Sequence, residues 1–372
     1  MDRTKLELRI VATLLLLSPV TWGQSRPPGG GTKEPQSQLQ VPNRPLASLF
    51  QGQQGKQRTE IYFDPATGFV TIKLLVQDPS GYFIPNIRRE NFAVYENGVR
   101  QQNATVEIEH ASVSLALLME FGGRYQAFNK TLVEEVSRAG HPLLDVLGRN
   151  DKVSIWTYGD TVKQLAAFSQ GHEVLDSLFY NLKPPKVSEA NLYDAMLSMF
   201  AFMKPVSGRK AIVLISSGID TFSHAKLDDV LSAAQAGDTP TYAIGLGPVL
   251  KDLATLPPGG GPPARIDWAR AANELQMIAQ SSGGRAYFPR TLFDLPATYD
   301  DMMENLRVRY VISYKSSTGT DATIPRTIRV ELVDPKTGGP LQILDANGKN
   351  IRASVIVQES YVPAAASETQ KQ

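Results

Sequence analysis

The chain has 372 residues, enough for two or three compact domains, and its 42% hydrophobic content is ordinary for a folded globular protein. Its 38 basic and 37 acidic side chains nearly balance and form no long block of either sign, which argues against a nucleic-acid or other polyanionic partner. Cysteine is absent, so disulfides, thiolate nucleophiles and cysteine-ligated metals are excluded. The four histidines, His110, His141, His172 and His224, are too far apart for a helical HExxH site and are expected at the surface.

At the N-terminus, Arg3, Lys5 and Arg9 precede the apolar stretch Ile10 to Leu17, which Ser18 and Pro19 end, and small residues follow at Thr21 and Gly23. That order predicts an export signal over residues 1–23, the stretch being short of the ~20 apolar residues that span a bilayer. An uncleaved anchor is the alternative, because Asp2 and Glu7 dilute the basic end. Export implies a periplasmic or secreted protein with no stable transmembrane span after cleavage. Residues 24–46 are rich in Gly, Pro, Gln and Ser and are expected to be a disordered linker.

From Thr59 to Glu109 the residues alternate in polarity, as in Phe69 to Val76, and turn signals such as Asp78-Pro79-Ser80-Gly81 and Asn97-Gly98 punctuate them. Asn97-Gly98 favours the positive φ angles of a type I′ hairpin, so residues 47–110 are expected to form an antiparallel β domain. From Val113 the rhythm becomes strand then helix. Strands are expected at 113–119, 152–158, 162–167, 211–215 and 241–246, and helices at 129–147, 171–182, 191–204, 225–235, 268–280 and 295–306. The run Pro257 to Pro263 reads as a surface loop. This alternation predicts an α/β domain over 111–307 with a mainly parallel, Rossmann-like sheet covered on both faces.

Beyond it, 310–314, 327–332 and 353–357 read as strands, so residues 308–362 are expected to pack with the N-terminal β domain as one β-sandwich. The α/β unit is then an insertion in that frame. The tail 363–372 is expected to be disordered.

The segments VSLALLMEFGG (113–123), RNDKVSIWTYGD (149–160), NLYDAM (191–196), RKAIVLISSGID (209–220) and PTYAIGLG (240–247) occur in the order and spacing of a von Willebrand factor A-type domain, which the chain resembles over residues 111–295. With NFAVYENGVRQ before them and RYVISYK after, they resemble the bacterial "VWFA-related" family in particular. That resemblance implies an adhesion or protein-binding role. It also implies a top-of-sheet loop where many relatives hold Mg²⁺ or Mn²⁺ through an Asp-x-Ser-x-Ser motif, a threonine and a second aspartate, all hard oxygen donors.

Here the motif is degenerate. Glu120 stands at the first aspartate, Gly122 and Arg124 at the two serines, Ala190 at the threonine, and Ser217 at the final aspartate. A guanidinium at Arg124 would repel a cation and could pair with Glu120. No cofactor is therefore expected, a divalent cation held with help from Asn191, Ser216 and Asp220 being the alternative. The expected site is a metal-free face of Glu120, Gly122, Arg124, Asn191, Ser217 and Asp220 that meets an extracytoplasmic protein or peptide.

Enzyme signatures are missing: no GxSxG elbow, no GxxxxGK[ST] loop, and Gly245-Leu246-Gly247 lacks a dinucleotide fingerprint. Asp228-Asp229 and Asp300-Asp301 are expected to face solvent near helix starts, and Tyr287, Phe288, Tyr310 and Tyr314 to pack in the core. The expectation is thus an exported, non-enzymatic binding module. The alternatives are a structural subunit of an envelope assembly with an inert A-type top, or a secreted hydrolase working through two carboxylates.

Overall fold

A computed structural model describes residues 37–41, 60–79, 83–122, 126–169, 176–179, 189–254, 266–318, 325–345, 347–357 and 360–362. The expected signal segment, most of the expected linker, residues 47–59, Arg124, the 257–263 run, most of the helix expected at 171–182 and the tail lie outside the described residues.

The first six strands are β1 (Gln38–Gln40), β2 (Glu60–Asp64), β3 (Phe69–Gln77), β4 (Phe92–Glu96), β5 (Val99–Arg100) and β6 (Thr105–His110). The α/β segment follows with β7 (Val113–Glu120), α1 (Gln126–Asp145), β8 (Lys152–Tyr158), β9 (Val162–Ser169), α2 (Leu192–Met203) and β10 (Arg209–Ser216). It continues with α3 (Leu227–Ala236), β11 (Thr241–Gly245), α4 (Gly247–Ala254), α5 (Trp268–Ser281), β12 (Arg285–Tyr287) and α6 (Leu295–Arg307). The chain then returns to β structure in β13 (Val308–Lys315), β14 (Arg326–Leu332), β15 (Gln342–Leu344), β16 (Asn350–Ile351), β17 (Ser354–Ile356) and β18 (Ser360–Tyr361).

Six strands of the α/β segment form one sheet in the order β12-β11-β10-β7-β8-β9, parallel throughout except for the antiparallel edge β9. The run Val113–Glu120 is nearly continuously apolar because β7, at the sheet's centre, is buried on both faces. On one face Leu115, Leu117 and Met119 pack with Val136 and Leu143 of α1, Leu250 of α4, and Tyr299 and Met302 of α6. On the other, Ala116 and Leu118 meet Met196 and Met199 of α2, Val230 of α3, and Leu275 and Ile278 of α5. This is a Rossmann-like architecture, a mainly parallel sheet covered on both faces. Its chain runs from β7 to one side of the sheet and returns to the other at β10, so the crevice beyond the carboxyl ends of β7 and β10 is the topological switch point where ligands bind in such sheets.

The helix ends follow local rules. Asp267 caps α5 by accepting from Arg270 N at 2.9 Å, and Asp228 and Asp229 lie in the first turn of α3, where negative charge suits the helix dipole. Asp301 departs from expectation. It sits inside α6, buried, and accepts from Tyr287 Oη at 2.7 Å and Arg285 at 3.1 Å, because its helical position faces β12 and not solvent. Helix α4 and strand β12 were not anticipated, each being too short for a distinct periodicity.

The flanking β regions share one core. β3 and β6 both pair with β13, β4 pairs with β14, and Ile72, Val94, Tyr310, Ile312, Tyr314 and Val330 belong to a single buried cluster. Tyr310 and Tyr314 thus pack in this core, and Tyr287 in that of the α/β sheet. The β4–β5 hairpin turns through Asn97 (φ 50°) and Gly98 (φ 79°), both left-handed, as the type I′ reading required.

The linker expectation fails at its end. Gln38–Gln40 form a strand parallel to β15, with Leu39 only 6% exposed, because Leu39 and Val41 alternate with polar residues and supply the apolar side chains that the sandwich edge buries.

The α/β segment leaves and rejoins the frame at neighbouring points: Val308 is registered with His110, and Ala111 N donates to Arg307 O at 3.1 Å. Asp151 fixes the start of β7 from below, accepting from Val113 N at 2.9 Å, from Gly148 N at 2.8 Å and from Arg307. Among the described residues no helix is long and apolar enough to cross a membrane.

Candidate functional site

Glu120 ends β7 and Ser216 ends β10, with the serine pair Ser216-Ser217 beginning the connection to α3. The Glu120 side chain turns inward, and the residue is 2% exposed. Its Oε2 accepts from Ser217 N at 2.6 Å, Ser217 Oγ at 2.8 Å and Ser216 Oγ at 2.9 Å, while Oε1 lies 2.9 Å from Ser217 Oγ. Tyr158, registered directly with Glu120 on β8, brings its hydroxyl 2.8 Å from Ser216 Oγ and 3.3 Å from Glu120 Oε2. Each hydroxyl has one proton to give, so the distances define a relay in which Tyr158 donates to Ser216 and Ser216 donates to Glu120. Burial pushes the Glu120 carboxyl above its ordinary value, and the bonds from Ser217, Ser216 and Tyr158 offset that only in part. The Tyr158 hydroxyl is raised as well, by burial and then by the Glu120 charge.

The neighbouring loops interlock. Ala190 N donates to Thr221 Oγ1 at 2.8 Å and Thr221 N returns a bond to Ala190 O at 3.0 Å. Asp220 and Ser223 satisfy the open first turn of α2: Tyr193 N lies 3.2 Å from Asp220 Oδ1 and 3.1 Å from Ser223 Oγ, and Ser223 Oγ donates to Asp220 Oδ1 at 2.5 Å. In exchange Asp194 accepts from His224 N and Ala225 N, each at 2.9 Å. Partial burial works against the Asp194 charge, yet these backbone donors hold its carboxyl below the ordinary value.

Gly122 is required by close approach. A β-carbon there would meet Glu189 O at 1.8 Å and Gly159 Cα at 2.7 Å, backbone atoms that cannot step aside. Gly122→Ala is expected to cost about 2–4 kcal/mol of stability, read from urea midpoints, since overpacking against backbone displaces two loops together. An unchanged midpoint would show that the loops do not interlock here.

Of the residues anticipated from sequence, Glu120 and Ser217 are brought into direct contact, and Asn191 and Asp220 lie on adjoining loops. Arg124 lies outside the described residues, so its pairing with Glu120 stays an expectation. One correction concerns exposure: Glu120, Gly122 and Ser217 are buried and offer no side chain to a partner, because their polar atoms are spent inside the loop cluster. An exposed group on the adjoining loop is Phe222, at 53%, with His224 two residues on. Tyr158, Thr221, Ser223 and Asp194 were missed, since each acts through a register or loop contact that has no signature in sequence.

The site does not fit the hard-cation motif that the resemblance implied. Glu120 supplies an oxygen already saturated by its own chain, Ala190 and Gly122 supply none, and Ser217 turns its hydroxyl to Glu120. Among the described residues no three His, Asp or Glu side chains gather as metal ligands. That holds for the described histidines: His110 is exposed at the end of β6, His224 pairs with Asp194 at 3.2 Å and His141 with Asp176 at 2.6 Å, while His172 lies outside the described residues.

No family model and no curated protein matches the sequence. Solved structures are similar in fold. A conserved hypothetical protein, BatB from Bacteroides thetaiotaomicron, is 15% identical, with 52% of this chain and 98% of that chain covered at a TM-score of 0.41. A von Willebrand factor type A structure from Catenulispora acidiphila is 13% identical, covering 74% and 75% at 0.41. The vWF domain of the type V pili tip protein Mfa5 from Porphyromonas gingivalis is 10% identical, covering 52% and 95% at 0.39. These likenesses concern the fold alone, and the architecture rests on the strand order and two-faced helix packing above.

Proposed function

We propose that this chain is an exported, non-enzymatic protein-binding or adhesion module whose A-type top works without a divalent cation. One observation carries the reading: the carboxylate at the position of the motif's leading aspartate is consumed by Ser216 and Ser217, with Tyr158 backing Ser216, so the loops are held by internal hydrogen bonds where a metal would otherwise hold them. The surface they present includes the exposed ring of Phe222 with partly exposed Asp220 and Asn191. An aromatic group with a polar surround suits a protein or peptide partner. The export signal expected over residues 1–23 suits action outside the cytoplasm.

Calorimetric titration with Mg²⁺ is expected to give no saturable heat, and cross-linked partner recovery is expected to be the same in EDTA as in Mg²⁺ but reduced several-fold in Phe222→Ser. Micromolar Mg²⁺ affinity that disappears in Glu120→Ala would sink the metal-free reading. Recovery unaffected by Phe222→Ser would move the binding face elsewhere.

A further inference from the structure

At the opposite end of the sheet, where the α/β domain meets the sandwich, a cavity of about 220 Å³ opens between the start of β10, the turn before β11 and strands β2 and β13. Glu60, Arg209, Lys210, Asp238, Tyr242 and Arg309 line it. Two of its three cations have carboxylate partners. Arg209 Nη2 donates to Glu109 Oε2 at 2.5 Å, and Lys210 Nζ lies 3.0 Å from Asp238 Oδ1 while also donating to the carbonyls of Met203 and Lys204.

Arg309 is different. Its Nη1 donates to Asn305 O at 2.6 Å and to Val308 O at 2.8 Å, and among the described residues it forms no ion pair. The carboxylates nearby are shared: Glu109 also takes Lys73 at 2.9 Å, and Glu60 lies 3.7 Å from the same Lys73. Lys73, Arg209, Lys210 and Arg309 thus face Glu60, Glu109 and Asp238, one cation in excess. Burial, and next the neighbouring Arg209, pull the Arg309 guanidinium down to about 10. Arg209 is also lowered, chiefly by burial.

Arg309 is half-buried, and a charge partly withdrawn from water without a counter-charge is unfavourable; a cavity at a domain junction is where a ligand can supply one. We infer that this junction cavity is a binding site for a small oxyanion, a phosphate or carboxylate group, recognised by the Arg309 guanidinium with Arg209 and Lys210 at its sides. The guanidinium fork matches two oxygens of either group, and Nε and Nη2 of Arg309 have no hydrogen-bond partner among the described residues. The site is separate from the Glu120 cluster, and it joins residues of the frame (Glu60, Arg309) to residues of the inserted domain (Arg209, Lys210).

The test is calorimetric titration of the full chain with inorganic phosphate and, in a second arm, with malonate, at constant ionic strength. Saturable binding of at least one anion at one site per chain is expected, and the stronger arm identifies the headgroup. Arg309→Gln is expected to weaken it roughly tenfold, the loss of a charge-assisted pair of bonds. Asp238→Asn removes a competing carboxylate while Lys210 stays held by two carbonyls, and is expected to tighten binding on the order of threefold. The opposite signs separate recognition from damage to the fold, and should Arg309→Gln fail to fold, the Asp238→Asn result decides. No saturable binding of either anion, or equal binding by wild type and the folded variants, overturns the inference.

Discussion

Glu120→Ala is expected to lower the unfolding free energy by about 3–4 kcal/mol, a larger effect than removing most exposed acids. The carboxylate is the common acceptor for Ser217 N, Ser217 Oγ and Ser216 Oγ, and truncation leaves these buried donors without it. Each unsatisfied donor costs about 1–3 kcal/mol, partly recovered if water enters. Glu120→Gln keeps the shape and is expected to cost less, about 1–2 kcal/mol, because one oxygen is exchanged for a donor that faces Ser217.

The charge adds a pH signature of definite sign. The folded carboxyl holds its proton to higher pH than the unfolded one, whose ordinary value is 4.5. Above that value the folded state therefore binds more protons than the unfolded state, so stability falls as pH rises until the folded group has itself ionised. Urea unfolding of wild type and Glu120→Gln across pH 4 to 8 should show this decline in the difference between them. A difference that rises with pH would mean the hydrogen bonds outweigh burial.

The second large effect lies in the sandwich. Arg326→Met is expected to cost about 3–5 kcal/mol, because it strands the buried Glu96 charge. Arg326 Nη1 lies 2.8 Å from Glu96 Oε1, both side chains are essentially inaccessible, and the Arg326 guanidinium stacks over Phe63 at 4.4 Å. Glu96 Oε2 has no hydrogen-bond partner among the described residues, which leaves little to compensate if the arginine is lost. The double replacement Glu96→Leu with Arg326→Met removes both charges and is expected to recover most of the loss, as buried pairs replaced by apolar residues often do. If the single and double variants unfold at the same urea concentration, the pair contributes through packing alone.

Much of this architecture was legible because the patterns are dense and local. The run from Val113, with helical spacing after it, marked a doubly covered parallel sheet, and Asn97-Gly98 marked a hairpin whose φ angles only such residues tolerate. Failures came where a few residues were read through the composition around them. Leu39 and Val41 sit in a Gly- and Gln-rich stretch yet complete a buried edge, and Asp301 reads as an exposed helical acid yet faces β12.

The site divides along the same line. The family resemblance placed Glu120 and Ser217 where relatives carry a metal motif, and side-chain chemistry showed that the motif was incomplete. What those residues do instead depends on β7 and β8 being in register, which sets Tyr158 beside Glu120, and on β10 crossing to the other side of β7, which delivers Ser216 and Ser217 to the same carboxylate. Residue types and spacing are local properties that the chain carries unfolded, and they suffice for fold class and candidate positions. Whether a carboxylate meets solvent, a metal or its own backbone is settled by contacts between residues up to 97 apart in sequence, and these exist only once the sheet has assembled.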